Sequence, residues 1–115
     1  MTSGVGTLLW TAPEVLRGDR YTEKADIYSY GIVLSELDTC LPPYSLNEEV
    51  AQSKQKSMQL LPLIRTGQIK PQFRENVPPA LYDLAQACLD YVPERRPNAM
   101  QIVYILRSRI MPTLS

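Results

Sequence analysis

Apolar and polar positions follow one another in blocks that predict a series of helices. The longest apolar block runs from Thr22 to Thr39, and its apolar side chains fall on nearly every side of a helix: Ala25, Ile27, Tyr28, Tyr30, Ile32, Val33, Leu34 and Leu37. A helix that is apolar nearly all round is usually central and buried. The β-branched pair Ile32 and Val33 leaves a buried strand as an alternative, but the length of the block favours a helix.

Shorter patterns precede this block. Residues 1–7 are small and spaced by glycines, which is typical of a loop. Residues 12–17 then predict a short helix, because Pro13 suits its first turn and Gly18 suits its end.

The second half of the chain has further helical patterns that are delimited by proline or glycine. Residues 58–65 predict a helix that Gly67 closes, with Pro62 in its first turn. Residues 81–89 repeat apolar side chains at helical spacing, and Pro79 suits the first position of that helix.

The last helical pattern begins at Asn98, which stands three residues before a glutamine in a variant capping box, and we expect Pro112 to end it. Ser45 and Glu48 have the same spacing, which would open a polar helix over residues 47–56. That stretch has few apolar residues and is also typical of a solvated face or a loose insertion. Together the patterns predict an all-α fold of about five helices around the central buried helix.

The composition of the chain argues against several classes of protein. The 115 residues, 44% of them apolar, predict one domain over residues 1–115 with a core of its own. Twelve basic residues balance twelve acidic ones, which argues against a nucleic-acid partner. No apolar run is long enough for a membrane segment, and the first residues do not resemble a secretory signal. We therefore expect an intracellular, cytoplasmic protein.

The chain has two cysteines and no histidine, which excludes a His-based triad and a zinc finger. Cys40 and Cys88 could pair, but without a secretory signal we expect reduced thiols on helices. The sequence contains no metal-ligand cluster, and its Gly4-x-Gly6 lacks a third glycine and a preceding strand. We expect this chain to bind no metal and no cofactor by itself.

An ordered set of motifs resembles the protein kinase superfamily. GTLLWTAPEVL, residues 6–16, resembles the end of the kinase activation segment with its Ala-Pro-Glu triplet. Residues 21–37 resemble the kinase helix that carries Asp-x-x-Ser-x-Gly, and PPY at residues 42–44 resembles the turn after it. ACLDYVPERRPNAMQIV, residues 87–103, resembles the later Arg-Pro element. The residues of these motifs are similar to those of the tyrosine-kinase-like group of serine/threonine kinases.

The resemblance implies a partial kinase C-terminal lobe, from the end of the activation segment to the last helix. The glycine-rich loop, the strand lysine, His-Arg-Asp and Asp-Phe-Gly have no counterpart in the sequence. We therefore expect a fragment that is inactive alone, with ATP and magnesium only in a complete parent kinase. Its partners would be a protein or peptide substrate or the missing kinase half. The alternatives are a non-catalytic helical protein-binding module, which is a kinase remnant, and a structural helical protein with accidental matches.

The resemblance also implies roles for individual residues. Glu14 and Arg96 match a buried structural ion pair, although Arg95 is an adjacent competitor. Asp26 matches an aspartate that accepts backbone N–H bonds from the catalytic loop. Because that loop is missing, a local role at the N-terminal end of its own helix is favoured here.

The segment before Ala-Pro-Glu matches the substrate side of a kinase. Thr7 resembles the threonine that contacts the catalytic aspartate, although an ordinary loop threonine is favoured in this chain. Leu8, Leu9 and Trp10 resemble the wall beside the substrate residue after the phosphorylated one, and Trp10 as ordinary core is an equal alternative. Two hydroxyls further upstream match a site of activating phosphorylation, with solvated loop hydroxyls as the default: Thr2 and Ser3.

Overall fold

The computed structural model describes residues 5–47 and 56–114, and in those ranges it contains helices and loops but no strand. The elements, in chain order, are a 3₁₀-helix Val5–Trp10, α1 Pro13–Leu16, α2 Glu23–Thr39, α3 Lys56–Arg65, α4 Pro79–Cys88, a 3₁₀ turn Pro93–Arg95, α5 Ala99–Ile105, a π-helical segment Leu106–Ile110 and α6 Met111–Leu114. The all-α prediction is confirmed. No helix in these two ranges combines the length and the apolarity that crossing a bilayer requires.

α2 is the central helix, and both of its ends are satisfied locally. The Thr22 side chain accepts a hydrogen bond from the Lys24 N–H and caps the start. At the other end Cys40 adopts the left-handed conformation, with φ of 57°, and donates its N–H to the Glu36 carbonyl. Between these caps α2 contacts the first 3₁₀-helix, α4 and the turn Pro93–Arg95.

A glycine lets α2 approach the end of α4 closely. A Cβ atom on Gly31 would lie 2.8 Å from Leu89 Cγ and 3.0 Å from Cys88 Cβ. Real side chains do not sit that close, so only glycine fits at this crossing without movement of its neighbours.

The core consists of two apolar clusters on either side of α2. One joins α2 to the first 3₁₀-helix, α1 and α3: Leu9, Ala12, Ala25, Tyr28, Ile32, Tyr44, Leu60, Ile64, Ile69 and Leu89. The other joins α2 to α4, α5 and the π-helical segment: Leu34, Leu84, Ala85, Cys88, Ile102 and Ile110. Phe73, from the loop between α3 and α4, packs against both. α2 is not covered on every side, because Leu37 is 69% exposed and Val33 is 39% exposed.

Polar side chains attach the loops to this core. Asn47 is buried, donates from Nδ2 to the Lys70 carbonyl at 2.8 Å and accepts the Gln72 N–H at 2.9 Å. Asp38 accepts the backbone N–H and the guanidinium of Arg74 at 2.8–3.0 Å. The solvated face that the sequence suggested from residue 47 onward is therefore wrong for Asn47 itself.

Several residues that were predicted to begin a helix do so in the structure. Asn98 and Gln101 form a complete capping box at the start of α5, with both hydrogen bonds at 2.8 Å. Pro79 is the first residue of α4, where its missing N–H leaves no hydrogen bond unmade. The polar helix predicted over residues 47–56 falls largely on 48–55, which lie outside the described residues.

Other predictions about the helices were wrong. Pro62 lies well inside α3 and not in its first turn. Pro112 does not end the last helix, because the chain continues from the π-helical segment into α6. The wider turn of a π-helix changes which carbonyl faces a following proline, so a proline there need not stop the helix. The loop predicted over residues 1–7 is a 3₁₀-helix from Val5 onward.

Candidate functional site

Glu14 and Arg96 form a bidentate ion pair between α1 and the loop before α5. Arg96 Nη1 lies 2.8 Å from Glu14 Oε2, and Arg96 Nη2 lies 2.9 Å from Glu14 Oε1. Glu14 is 3% exposed and Arg96 is 2% exposed, although 82 residues separate them in sequence. The neighbouring Arg95 is exposed. This fork-to-fork geometry fixes α1 against the loop before α5 in both distance and orientation.

Arg96 uses every N–H group of its guanidinium. Besides the two bonds to Glu14, Nε donates to the Asp90 carbonyl at 2.8 Å and Nη1 donates to the Lys24 carbonyl at 2.9 Å. A longer contact of 3.5 Å joins Nη2 to the Tyr91 carbonyl. Arg96 therefore connects α1, the first turn of α2 and the loop after α4 through one side chain.

The surroundings of this pair favour its charged form. Burial alone would raise the pKa of Glu14, but the hydrogen bonds and positive charge of Arg96 outweigh it, so the pKa lies below its usual value. The ring of Tyr28, in the core, also faces the guanidinium, with 5.0 Å between Arg96 Cζ and the ring centroid. A protonated Glu14 would leave a charged guanidinium without its counter-ion in this buried place.

The segment before α1 is attached to α2 at two points. The indole Nε1 of Trp10 donates to Glu36 Oε1 at 2.6 Å. The Trp10 carbonyl accepts the hydroxyl of Ser29 at 2.6 Å. Trp10 is partly buried and packs against the core cluster that joins α2 to α1 and α3. Side chain and backbone of this one residue are therefore both held by α2.

The predicted substrate-side residues do not all occupy the same kind of position. Leu9 is buried in the core, whereas Leu8 and Trp10 are partly buried at its edge. Thr7 lies in the 3₁₀-helix Val5–Trp10. The two predicted phosphorylation sites lie outside the described residues: Thr2 and Ser3.

Asp26 lies in the first turn of α2 and is exposed. Its Oδ1 accepts the hydroxyl of Tyr21 at 2.7 Å. Thr22, not Asp26, caps the helix. A carboxylate in the first turn still has the favourable interaction with the positive end of the helix dipole. Its role toward a catalytic loop remains a prediction.

Sequence reasoning missed the partners that hold Trp10. Glu36 is the one charged residue between Ile27 and Leu37, and that charge is the signal that could have singled it out. Ser29 stands within the Asp-x-x-Ser-x-Gly motif, but nothing in the motif says that its hydroxyl binds the Trp10 carbonyl.

The described residues contain no cluster of side chains that could hold a metal ion. Within residues 5–47 and 56–114 no three Asp, Glu, Cys or His side chains come together in a way that could hold a metal ion. Lys24 donates its ammonium group to the Arg96 carbonyl. The contacts at this site join helices and hold the segment before α1 in place.

Comparison with known proteins assigns the chain to a family. A sequence model of the protein kinase domain matches residues 1–105. A protein kinase and PP2C-like domain-containing protein of Arabidopsis thaliana is 39% identical, over 90% of this chain and 17% of that protein. Two proteins of Dictyostelium discoideum, a probable serine/threonine-protein kinase and a dual specificity protein kinase, are each 37% identical over 92% and 88% of this chain.

The matched region is a small part of these relatives. The chain spans 11% and 13% of the two Dictyostelium proteins and 17% of the Arabidopsis one. Within that span the Ala-Pro-Glu glutamate and the Arg-Pro arginine are the two residues that form the buried ion pair. With a family model that matches nearly its whole length, this chain belongs to the protein kinase domain family.

Proposed function

We propose that this chain forms the lower C-terminal lobe of a serine/threonine protein kinase and supplies one side of its peptide-substrate platform. The observation that carries the proposal is the attachment of residues 10–14 at both ends. Trp10 is held by Glu36 and Ser29, and Glu14 is held by Arg96. A segment fixed in this way can present neighbouring side chains in a constant geometry, which peptide recognition requires.

Leu8 and Trp10 are the side chains that this proposal assigns to the peptide wall. Both are partly exposed at the edge of the core, whereas Leu9 is buried within the core. An apolar surface of this kind would select the substrate residue that follows the phosphorylated hydroxyl. The partner is therefore a protein or peptide, and we propose that it is met in the cytoplasm.

Phosphoryl transfer would need the remainder of a complete kinase. The reaction requires a phosphate cradle, a lysine, acidic metal ligands and a residue that orients the attacking hydroxyl. The sequence has no histidine and so contains no His-Arg-Asp motif. ATP and magnesium would be held by the parts of the kinase that this chain lacks, and the chain alone would transfer no phosphate.

Two measurements test this proposal. The purified chain, mixed with magnesium-ATP and a generic protein substrate, should neither bind nucleotide nor label the substrate. Saturable ATP binding at physiological concentration, abolished by a point substitution within the 115 residues, would contradict it. An upstream reading frame that encodes His-Arg-Asp and Asp-Phe-Gly would support the catalytic assignment, and one that lacks them would favour the non-catalytic binding module.

The platform is tested in the complete kinase domain. Leu8→Glu should raise KM for a peptide substrate several-fold while KM for ATP stays unchanged, because the wall contacts only the peptide. Met100→Glu is the matched control, since Met100 is 83% exposed on α5 and lies outside the proposed wall. Equal effects of the two substitutions on peptide KM would refute the assignment of Leu8.

A further inference from the structure

A surface groove lies between α4 and the loop that precedes it. Its volume is about 340 Å³, at the lower end of the range of pockets that take ligands. It is lined by Lys70, Pro71, Gln72, Phe73, Tyr82 and Gln86. None of these residues belongs to the ion pair, the Trp10 attachment or the proposed peptide wall, so the groove is a separate surface.

Two buried side chains hold the loop side of the groove in place. Asn47 donates to the Lys70 carbonyl at 2.8 Å and accepts the Gln72 N–H at 2.9 Å. Asp38 accepts the Arg74 N–H at 2.8 Å. Because this wall is already ordered, a ligand that binds to it loses little affinity to the ordering of the protein.

Two aromatic rings form the apolar part of the groove. Phe73 and Tyr82 contact each other edge to face, with 5.6 Å between the ring centroids and 80° between the ring planes. Phe73 is anchored, since it packs against both core clusters. Tyr82 is 42% exposed, so its ring remains open to a partner.

The polar side chains around the rings can all donate hydrogen bonds, and none of them has a partner among the described residues. They are the Lys70 ammonium, the Tyr82 hydroxyl and the amides of Gln72 and Gln86. Lys70 is the one charged residue that lines the groove, and no carboxylate of a described residue lines it. The groove therefore complements a ligand that offers apolar rings, carbonyl groups and a negative charge.

A proline-rich segment offers rings and carbonyls in this way. A polyproline II helix has no internal hydrogen bonds, so its carbonyls stay available, and its preformed shape loses little entropy on binding to an aromatic groove. We propose that this groove docks a proline-rich segment of a partner protein, with a proline ring against Tyr82 and an acidic residue of the segment beside Lys70. This inference does not depend on the proposed kinase function.

Fluorescence anisotropy of labelled peptides mixed with the purified chain tests the proposal. The first probe is a polyproline peptide with a glutamate at each end, the second has alanine in place of proline, and the third has lysine in place of glutamate. The first should bind saturably. The second should bind at least about tenfold more weakly, because it has neither the rings nor the preformed shape. The third should bind several-fold more weakly, because its charge opposes that of Lys70.

Substitutions in the groove identify the residues that bind. Tyr82→Ala should weaken binding of the first probe at least about tenfold, as loss of an interface anchor does. Tyr104→Ala is the matched control, since Tyr104 is 68% exposed on α5 and lies outside the groove. Lys70→Glu should reverse the preference between the glutamate and lysine probes, and this readout does not require the loss of an aromatic ring.

Several results would overturn the proposal. They are the absence of saturable binding, equal binding of the proline and alanine probes, equal effects of the two tyrosine substitutions, and an unchanged charge preference in Lys70→Glu. A wild-type chain that self-associates in sedimentation and becomes monomeric on Tyr82→Ala would assign the groove to a second copy instead.

Discussion

Glu14 is the one carboxylate among the described residues that forms an ion pair with Arg96. Four of the five guanidinium hydrogen bonds measure 2.8–2.9 Å, and two of these go to Glu14. With both side chains almost fully buried, neither can turn toward solvent when the other is lost.

Glu14→Gln should therefore lower the free energy of unfolding by about 3–5 kcal/mol, the usual cost of leaving one buried charge unpaired. Asp19→Asn is the control, because its partner Arg17 forms an exposed pair at 2.8 Å that should be worth less than about 1 kcal/mol. Urea unfolding of both variants measures the difference. Similar losses in the two would mean that burial adds nothing to the Glu14–Arg96 pair.

The same pair predicts how stability depends on pH. The pKa of Glu14 is lower in the folded chain than its ordinary value of about 4.3, so folding favours the ionised form. This stabilisation is complete above the unfolded pKa and is lost as pH falls through the folded one. The difference in unfolding free energy between wild type and Glu14→Gln, followed from pH 7 downward, should shrink below about pH 4. A difference that stayed constant would contradict the lowered pKa.

The crossing of α2 and α4 depends on the lack of a side chain at Gly31. Alanine there would favour the helix by up to about 1 kcal/mol, but its Cβ would meet Leu89 Cγ at 2.8 Å, and overpacking costs about 1–3 kcal/mol. Gly31→Ala should thus destabilise the chain by roughly 1 kcal/mol. Combined with Leu89→Ala, it should cost less than the sum of the two single changes, because the clash is removed. Additive losses in denaturant unfolding would mean that the helices move apart.

The position of a helix could be predicted where the residues that determine it lie in one short stretch of sequence. The capping box at Asn98, the proline that starts α4 and the apolar length of α2 are signals of this kind. The proline inside α3 and the π-helical segment were not, because they depend on what the rest of the chain packs against those helices.

The candidate site likewise contains some contacts that the sequence suggests and others that it does not. A family resemblance could suggest Glu14 and Arg96 as partners, because both stand in short recognisable motifs. The bond from Trp10 to Glu36 spans 26 residues, and the bonds between Asp38 and Arg74 span 36. Such pairs leave no local pattern in a single sequence, since their two residues stand far apart in the chain.

Trp10 is the single tryptophan of the sequence, and its indole N–H is hydrogen-bonded to one carboxylate, that of Glu36. The intrinsic fluorescence of the protein therefore comes mainly from the point where the segment before α1 is attached to α2. Indole emission shifts to the red when the ring gains water, so under conditions where the chain stays folded the emission maximum reports release of this segment. Peptides, partner chains or phosphate groups added upstream can thus be screened for an effect on the segment without any label.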